Sequence, residues 1–383
     1  LNTPQSSSIS PQRPIRAIIS GGGTGGHVFP AIAIADALRE LQPAAEILFV
    51  GAQGKMEMEK VPKAGYPIEG LWISGFQRQL SLRNLLFPLK LLASLGKAWR
   101  ILRRYKPDVA IGVGGYASGP LLEMAGRQGI PTLIQEQNSY AGATNRLLAK
   151  RAGCICVAYA GMERYFPAEK LVLAGNPVRK GLQENAATRE EGAAYFGFDA
   201  SRPIVFIFGG SLGARSINEA MAANAELLRQ RPEVQVLWQF GALYETAFAD
   251  CETARLPNVK AHKFVDRMDL AYAMADLILS RSGALTISEL CFAGKPAVFI
   301  PSPNVAEDHQ MKNAQALARE GAAEIIPDQE VRQRLIRRAY ELLDDEARRR
   351  ELSENIKKLA MPDAAARIAR EAIALAASKN APR

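Results

Sequence analysis

Three glycine-rich runs are the part of this chain best suited to chemistry: Gly21-Gly22-Gly23-Thr24-Gly25-Gly26, Gly112-Val113-Gly114-Gly115 and Gly209-Gly210-Ser211-Leu212-Gly213-Ala214. Glycine lets a backbone approach a ligand closely, and the exposed amides of a helix N-terminus attract phosphate. The first run spells G-x-G-x-x-G between an apolar run and a helical pattern. A dinucleotide site also needs an acid closing the second strand to hold the ribose hydroxyls, and that strand ends Phe49-Val50-Gly51. Each run therefore reads as a phosphate cradle or as a tight strand-to-helix turn, and the residues alone leave both open.

His27 follows the first run directly, where a wound sheet would place it at the carboxyl edge of a strand. Its imidazole is either a proton acceptor near neutral pH or a packing group at a helix start. A denser constellation lies at Arg281-Ser282-Gly283-Ala284-Leu285-Thr286-Ile287-Ser288-Glu289, where small residues open a helix and Glu289 could accept hydrogen bonds from vicinal sugar hydroxyls. Asp308, His309, Gln310 and Asn313 add polar groups. The chain contains no D-x-D, so a nucleotide-sugar enzyme built on it would steady its departing diphosphate with helix dipoles and backbone donors, with no cofactor and no metal required. Cys154, Cys156, Cys251 and Cys291 form no C-x-x-C and have three histidines for company, which reads as buried thiols in a reducing cytoplasm and not as a zinc site.

The elements that must position these residues follow a strand–helix rhythm. A β-branched run at 15–19 precedes the first glycines and a helix from about Pro30 to Leu41, and strands follow at 46–50, 109–115, 131–136 and 154–160. The programme restarts at 204–221, with later strands at 234–240, 258–264, 277–280 and 297–301. Repeated β and α units with short connections predict an α/β protein with two doubly wound domains. The length of 383 residues agrees with two domains. Residues 1–14 are Ser- and Pro-rich and read as a disordered leader, not a secretory signal.

Charge is uneven. The net charge is +9, yet between Glu69 and Asp108 eight Lys or Arg stand with no acid, so the rest of the chain sums to +1. Arg83, Lys90, Lys97 and Arg104 recur every seven residues, and Trp72, Phe76, Phe87 and Trp99 lie among them. Such a basic amphipathic segment suits an anionic membrane surface or an ordinary core-facing helix. No recognised module points to nucleic acid, and no run approaches the ~20 apolar residues of a spanning helix.

Taken together, GGGTGGHVFPAIAIADAL at 21–38, QEQNSYAGATNRLLAK at 135–150, GNPVR at 175–179, GGSLGARSIN at 209–218 and SRSGALTISELCFAGKPAVFIPSP at 280–303 resemble the MurG family. Its members are the bacterial UDP-N-acetylglucosamine–N-acetylmuramyl-(pentapeptide) pyrophosphoryl-undecaprenol N-acetylglucosaminyltransferases. The resemblance implies a GT-B fold, two Rossmann-like domains with a cleft between them. They would be an acceptor and membrane-facing domain over 15–177, a UDP-GlcNAc-binding domain over 178–362, and a helix over 363–383 returning to the first. It implies inverting transfer of N-acetylglucosamine (GlcNAc) from UDP-GlcNAc to the 4-hydroxyl of the muramyl sugar in lipid I, giving lipid II, at the cytoplasmic face of the inner membrane and in a cell-wall synthesis complex.

By that resemblance, Thr24, Gly25 and Gly26 lie near the diphosphates, and Asn138, Arg179 and Ser211 contact the donor. Val265 and Met268 border the uracil, residues Ala284 to Glu289 (Ala284, Leu285, Thr286, Ile287, Ser288 and Glu289) hold ribose and diphosphate, and Gln310 recognises the sugar. His27 is the general base, with Glu136 as a supporting acid. Residues 70–106 face the membrane through Trp72, Phe76, Arg83, Phe87, Lys90, Lys97 and Trp99. The chain departs from many members in carrying Gln135 where they have His, and His309-Gln310 where they have two Gln. The rival readings are a UDP-GlcNAc 2-epimerase of the same fold, a non-catalytic nucleotide-sugar or membrane-surface binding protein, and an NAD-dependent oxidoreductase, which Gly51 argues against.

Overall fold

The computed structural model describes residues 14–74, 86–178, 182 and 187–380. Two sheets form. The first has seven strands in the order β3-β2-β1-β4-β5-β6-β7. These are β1 (Arg16–Gly21), β2 (Glu46–Ala52), β3 (Ile68–Leu71), β4 (Val109–Gly114), β5 (Thr132–Glu136), β6 (Cys154–Val157) and β7 (Leu171–Leu173). The second has six, in the order β10-β9-β8-β11-β12-β13. They are β8 (Ile204–Phe208), β9 (Gln235–Gln239), β10 (Val259–His262), β11 (Leu277–Ser280), β12 (Ala297–Phe299) and β13 (Glu324–Ile325).

The central pairs are parallel, with Ile18 opposite Ala110 in the first sheet and Phe206 opposite Ile278 in the second. Strands covered on both faces must be apolar throughout, which is why RAIISG and IVFIF are almost wholly buried and show no alternation. In both sheets the winding reverses beside the first strand, between β1 and β4 and between β8 and β11. At such switch points the connections leave in opposite directions and open a crevice at the carboxyl ends of the strands. The first glycine run starts at the last residue of β1, the second closes β4 and the third follows β8, so the topology delivers each of them to such an edge.

The first helix spans Gly25–Leu41, so it takes in Gly25, Gly26 and His27 and begins before Pro30, which lies inside it. Low propensity at Gly-Gly does not prevent this, because the apolar positions Val28, Ala31, Ile34, Ala35 and Leu38 bury against the sheet. The basic segment yields a helix over Phe87–Tyr105 with Pro88 in its first turn, where the missing N–H has no partner to lose. Three strands escape the sequence reading: β3, β7 and β13 have 4, 3 and 2 residues and too little apolar pattern to announce themselves.

The chain divides into two compact units, residues 1–135, 147–155 and 366–383 in one, and residues 136–146 and 156–365 in the other. The second unit thus takes in residues 136–146 and 156–177, which the sequence reading places in its first domain. Trp238 fills one face of the second unit's sheet and Phe206, Tyr272 and Phe299 the other. Cys154, Cys156 and Cys291 are buried, whereas Cys251 is only half-buried. Burial in apolar surroundings pushes the Cys291 thiol up to about 12.

Candidate functional site

In the first unit, β1 hands its chain to the glycine run, and Thr24 turns it into the helix with an extended backbone. His27 stands in the first turn. Its Nδ1 lies 3.3 Å from the Thr24 hydroxyl. When Nδ1 carries the proton and donates to that hydroxyl, Nε2 keeps the basic lone pair. The ring lies over Gly114, whose added Cβ would come within 2.4 Å of Cδ2 and 2.7 Å of Nε2; Gly114 also has a φ of +104°. Only glycine satisfies both demands. Gly115 meets the backbone of Gly22 equally closely, so the first and second runs touch.

A residue that sequence reasoning missed lies beneath them. Glu57, fully buried, accepts a hydrogen bond from the Gly23 N–H at 2.8 Å and another from the Ala52 N–H at 3.0 Å. Added Cβ atoms on Gly22 and Gly51 would strike its side chain at 2.2 Å and 2.5 Å. Gly51, which at the end of β2 removes the acid of a dinucleotide site, makes room for this one. A Glu placed just after a glycine-terminated strand was the available signal.

In the second unit, Glu136 closes β5 and organises the segment that follows. Its carboxylate accepts from the N–H of Asn138 (3.1 Å) and of Gly142 (3.0 Å), and from the side-chain amides of Asn138 (3.4 Å) and Asn145 (2.8 Å). Four donors fill the acceptor capacity of a carboxylate, so its contacts here are with the segment it organises. Asn313, buried in the helix His309–Arg319, reaches the same segment. Its Oδ1 accepts from the Ser139 N–H and hydroxyl at 2.9 and 3.0 Å, and its Nδ2 donates to Asn138 Oδ1 at 3.1 Å. Asn138 is thereby held from both ends.

The other donor-side residues are joined by polar bridges inside the same unit. The Gln239 amide donates to Gly210 O at 2.9 Å and accepts from the Val265 N–H at 2.8 Å, tying the loop of exposed Ser211 to the expected uracil border. The side chains of Val265 and Met268 are buried, so the surface that this border presents is largely backbone. Gly283 opens the helix Ala284–Ala293 with an extended backbone. Ser282 donates to Gln310 O at 2.9 Å, and the Ser302 N–H donates to Gln310 Oε1 at 2.9 Å, which orients the Gln310 amide. Glu307 and Asp308 precede it in left-handed backbone, at φ +57° and +52°.

Ser288 accepts from Asn176 at 3.1 Å, and buried Glu289 accepts from the Tyr272 hydroxyl at 2.9 Å. Arg281 donates to Asp328 (2.6 Å), Ile300 O (2.9 Å) and Ser216 (2.9 Å), bracing the start of the helix Arg215–Ala223 against the end of β11. Among the described residues no three His, Cys, Asp or Glu gather into a metal-binding group. Arg179 lies outside the described residues.

The basic helix is not what its seven-residue stripe suggests. Lys97 donates to Gly70 O at 2.7 Å, Lys90 to the Ser74 hydroxyl at 3.2 Å, and Arg104 pairs with Glu69. The described members of the stripe therefore fasten the helix along β3 and the segment just after it. A separate row faces outward: Leu89 (56% exposed), Leu92 (67%) and Trp99 (44%), with Trp72 (45%) nearby and the Arg103 guanidinium over the Trp99 ring. Phe87 and Lys90 are half-buried, and Phe76 and Arg83 lie outside the described residues. No helix among the described residues is long and apolar enough to cross a membrane.

Comparison with known proteins agrees with this arrangement. Residues 17–157 match the glycosyltransferase family 28 N-terminal domain, and residues 204–368 its C-terminal domain. A transferase of Bacteroides fragilis, named as UDP-N-acetylglucosamine–N-acetylmuramyl-(pentapeptide) pyrophosphoryl-undecaprenol N-acetylglucosamine transferase, is 51% identical over 364 residues, 94% of this chain and 96% of its own. Its namesake in Cytophaga hutchinsonii is 53% identical over 357 residues, covering 93% and 96%. The crystal structure of Acinetobacter baumannii MurG superposes with a TM-score of 0.73 at 30% identity, covering 94% of this chain and all of that one. Two parallel-sheet domains and identity of about half along nearly the whole length make this chain a member of glycosyltransferase family 28 and, within it, of the MurG family.

Proposed function

We propose that this chain transfers N-acetylglucosamine from UDP-GlcNAc to lipid I, giving lipid II for peptidoglycan synthesis. The observation that carries the reading is identity of 51–53% with transferases of that name across more than nine-tenths of either chain. The local chemistry suits it: glycine loops at the switch points of both sheets offer backbone N–H groups to phosphate, and the second unit gathers the residues suited to a nucleotide sugar.

The reaction is an inverting single displacement. The 4-hydroxyl oxygen of the acceptor sugar bonds to the anomeric carbon as the bond to the UDP oxygen breaks, and UDP leaves with that electron pair. His27 Nε2 takes the hydroxyl proton while Thr24 steadies Nδ1, and helix N-termini with backbone amides hold the charge on the departing diphosphate without a metal. Glu136 and Asn313 orient Asn138, Gln239 spaces the two nucleotide loops, and Gln310 reads the sugar. The outward row Leu89, Leu92 and Trp99, with Arg103 above it, rests on the anionic cytoplasmic surface that carries the lipid acceptor.

The test is transfer of radiolabelled sugar from UDP-GlcNAc to a lipid I analogue, with and without EDTA. Label in the lipid product at equal rates in both supports the reading. Conversion of UDP-GlcNAc without acceptor would indicate an epimerase instead, and binding of UDP-GlcNAc without UDP release a binding protein.

A further inference from the structure

We propose that Glu57 is a positioning residue of the transfer site: from beneath the first glycine run, it sets the geometry of the helix start that carries His27. The inference rests on the function proposed above. Each carboxylate oxygen holds a backbone N–H of a different segment, Gly23 in the loop and Ala52 at the end of β2. Glycine stands at 22 and at 51, where any side chain would overlap the acid. Four consecutive-in-space backbone positions thus form a socket shaped for one buried carboxylate, and the loop cannot shift without breaking it.

Two consequences follow for the chemistry. The Gly23 N–H is committed to Glu57, so an anion at this loop is left with the amides of Gly25 and Gly26, which open the helix where no intrahelical acceptor exists. A negative charge beneath a phosphate loop opposes anion binding, so the benefit of this acid to the site is geometric and not electrostatic. Thr24 and His27 follow one and four residues after the anchored amide, and Nε2 lies over Gly114, so loss of the anchor changes both contacts of the imidazole together.

Glu57→Gln keeps the size of the side chain but turns an N–H₂ group toward one of two N–H donors, leaving a buried donor unsatisfied. The chain has three histidines, so ring signals in ¹H–¹⁵N spectra are few enough to follow individually. We expect the His27 ring signals to move in Glu57→Gln while those of His262 and His309 stay. We also expect kcat on the lipid I analogue to fall about 10- to 100-fold, as for a misplaced catalytic group, with UDP affinity changing by less than about fivefold, since most of the residues expected to hold UDP lie in the second unit and only the amides of Gly25 and Gly26 lie on this loop. A merely structural acid would lower Tm and leave kcat and the His27 signals in place, and that result overturns the proposal. So does a fall in kcat with His27 unmoved, or a rise in turnover, which would show that the charge matters and not the geometry. Should Glu57→Gln not fold, Glu57→Asp, which is one methylene too short to reach both donors, is read in the same two ways. If the unaltered protein transfers no sugar, the function proposed above fails, and the histidine spectra still decide the role of Glu57.

Discussion

His27 and Asn138 show how much of a reactive residue lies in its neighbours. The imidazole is placed by the Thr24 hydroxyl on one side and by the absence of a side chain at Gly114 on the other. His27→Ala removes the proposed proton acceptor and leaves the second unit alone, so turnover should fall about 10²- to 10⁴-fold with UDP affinity nearly intact; full activity in initial-rate assays would remove it from the role of base. Asn313→Ala strips three hydrogen bonds from the segment of Asn138 and Ser139. The expected result is at least a tenfold rise in KM for UDP-GlcNAc and a stability loss of about 1–3 kcal/mol by denaturant titration, since buried donors are left unsatisfied. His27, Thr24 and Ser211 stand out in the sequence because they sit in or beside glycine runs, whereas Asn138, Val265, Met268 and Gln310 are named only through the family resemblance. Glu57 and Gln239 are legible in neither way, because each acts on a loop 34 or 29 residues away in the chain, and nothing in local spacing marks such a bridge.

At the scale of elements, the helix Phe87–Tyr105 separates two jobs that its sequence superimposes. Cations at 97 and 104 secure it to β3 and the one at 90 to the segment just after that strand, while apolar side chains at 89, 92 and 99 face outward. Replacing Leu89 and Leu92 with Ser should weaken co-sedimentation with anionic vesicles about tenfold or more and leave Tm unchanged, because those side chains bury little in the protein. Replacing Lys97 with Glu should instead lower Tm, because it removes the donor to Gly70 O. If vesicle binding followed Lys97 and ignored the leucines, the charge stripe would be the docking face after all. The helix itself is legible from its period, and Pro88, which could either interrupt it or begin it, lies in its first turn. Which flank meets the sheet is not, because β3 is four residues of IEGL whose pairing depends on β2.

At the scale of the whole molecule, the repeat of strand, glycine loop and helix is legible because buried parallel strands require uninterrupted apolar runs. The assignment of residues 136–146 and 156–177 to the second unit is not, because it arises from contacts distant in sequence. The six-stranded sheet and its core lie wholly in the second unit, so UDP at one hundred times Kd should stabilise that unit selectively, by about 2.7 kcal/mol. Equal stabilisation of both, followed by hydrogen exchange, would contradict the placement of the nucleotide.

Acid should act unevenly too. Arg338 holds Glu324 by two hydrogen bonds of 2.8 Å, with Arg348 adding a third, and these keep its carboxyl below the ordinary range. A lowered folded value means that stability from this group is present above the unfolded value near 4.5 and lost as pH falls through the folded one. Glu324→Gln should therefore cost about 1–2 kcal/mol at neutral pH, modest because the site is partly screened. The cost should vanish in strong acid, where urea titrations of the two proteins converge; a constant gap would remove the ion pair from the account.

Gln239 has one further consequence. A side chain that grips one loop with its nitrogen and the next with its oxygen works as a ruler, and a ruler made of one amide cannot stretch. The two segments it spans must travel together, so a ligand that reaches from the loop of Ser211 to the backbone at Val265 meets a spacing set by the protein and not by the ligand.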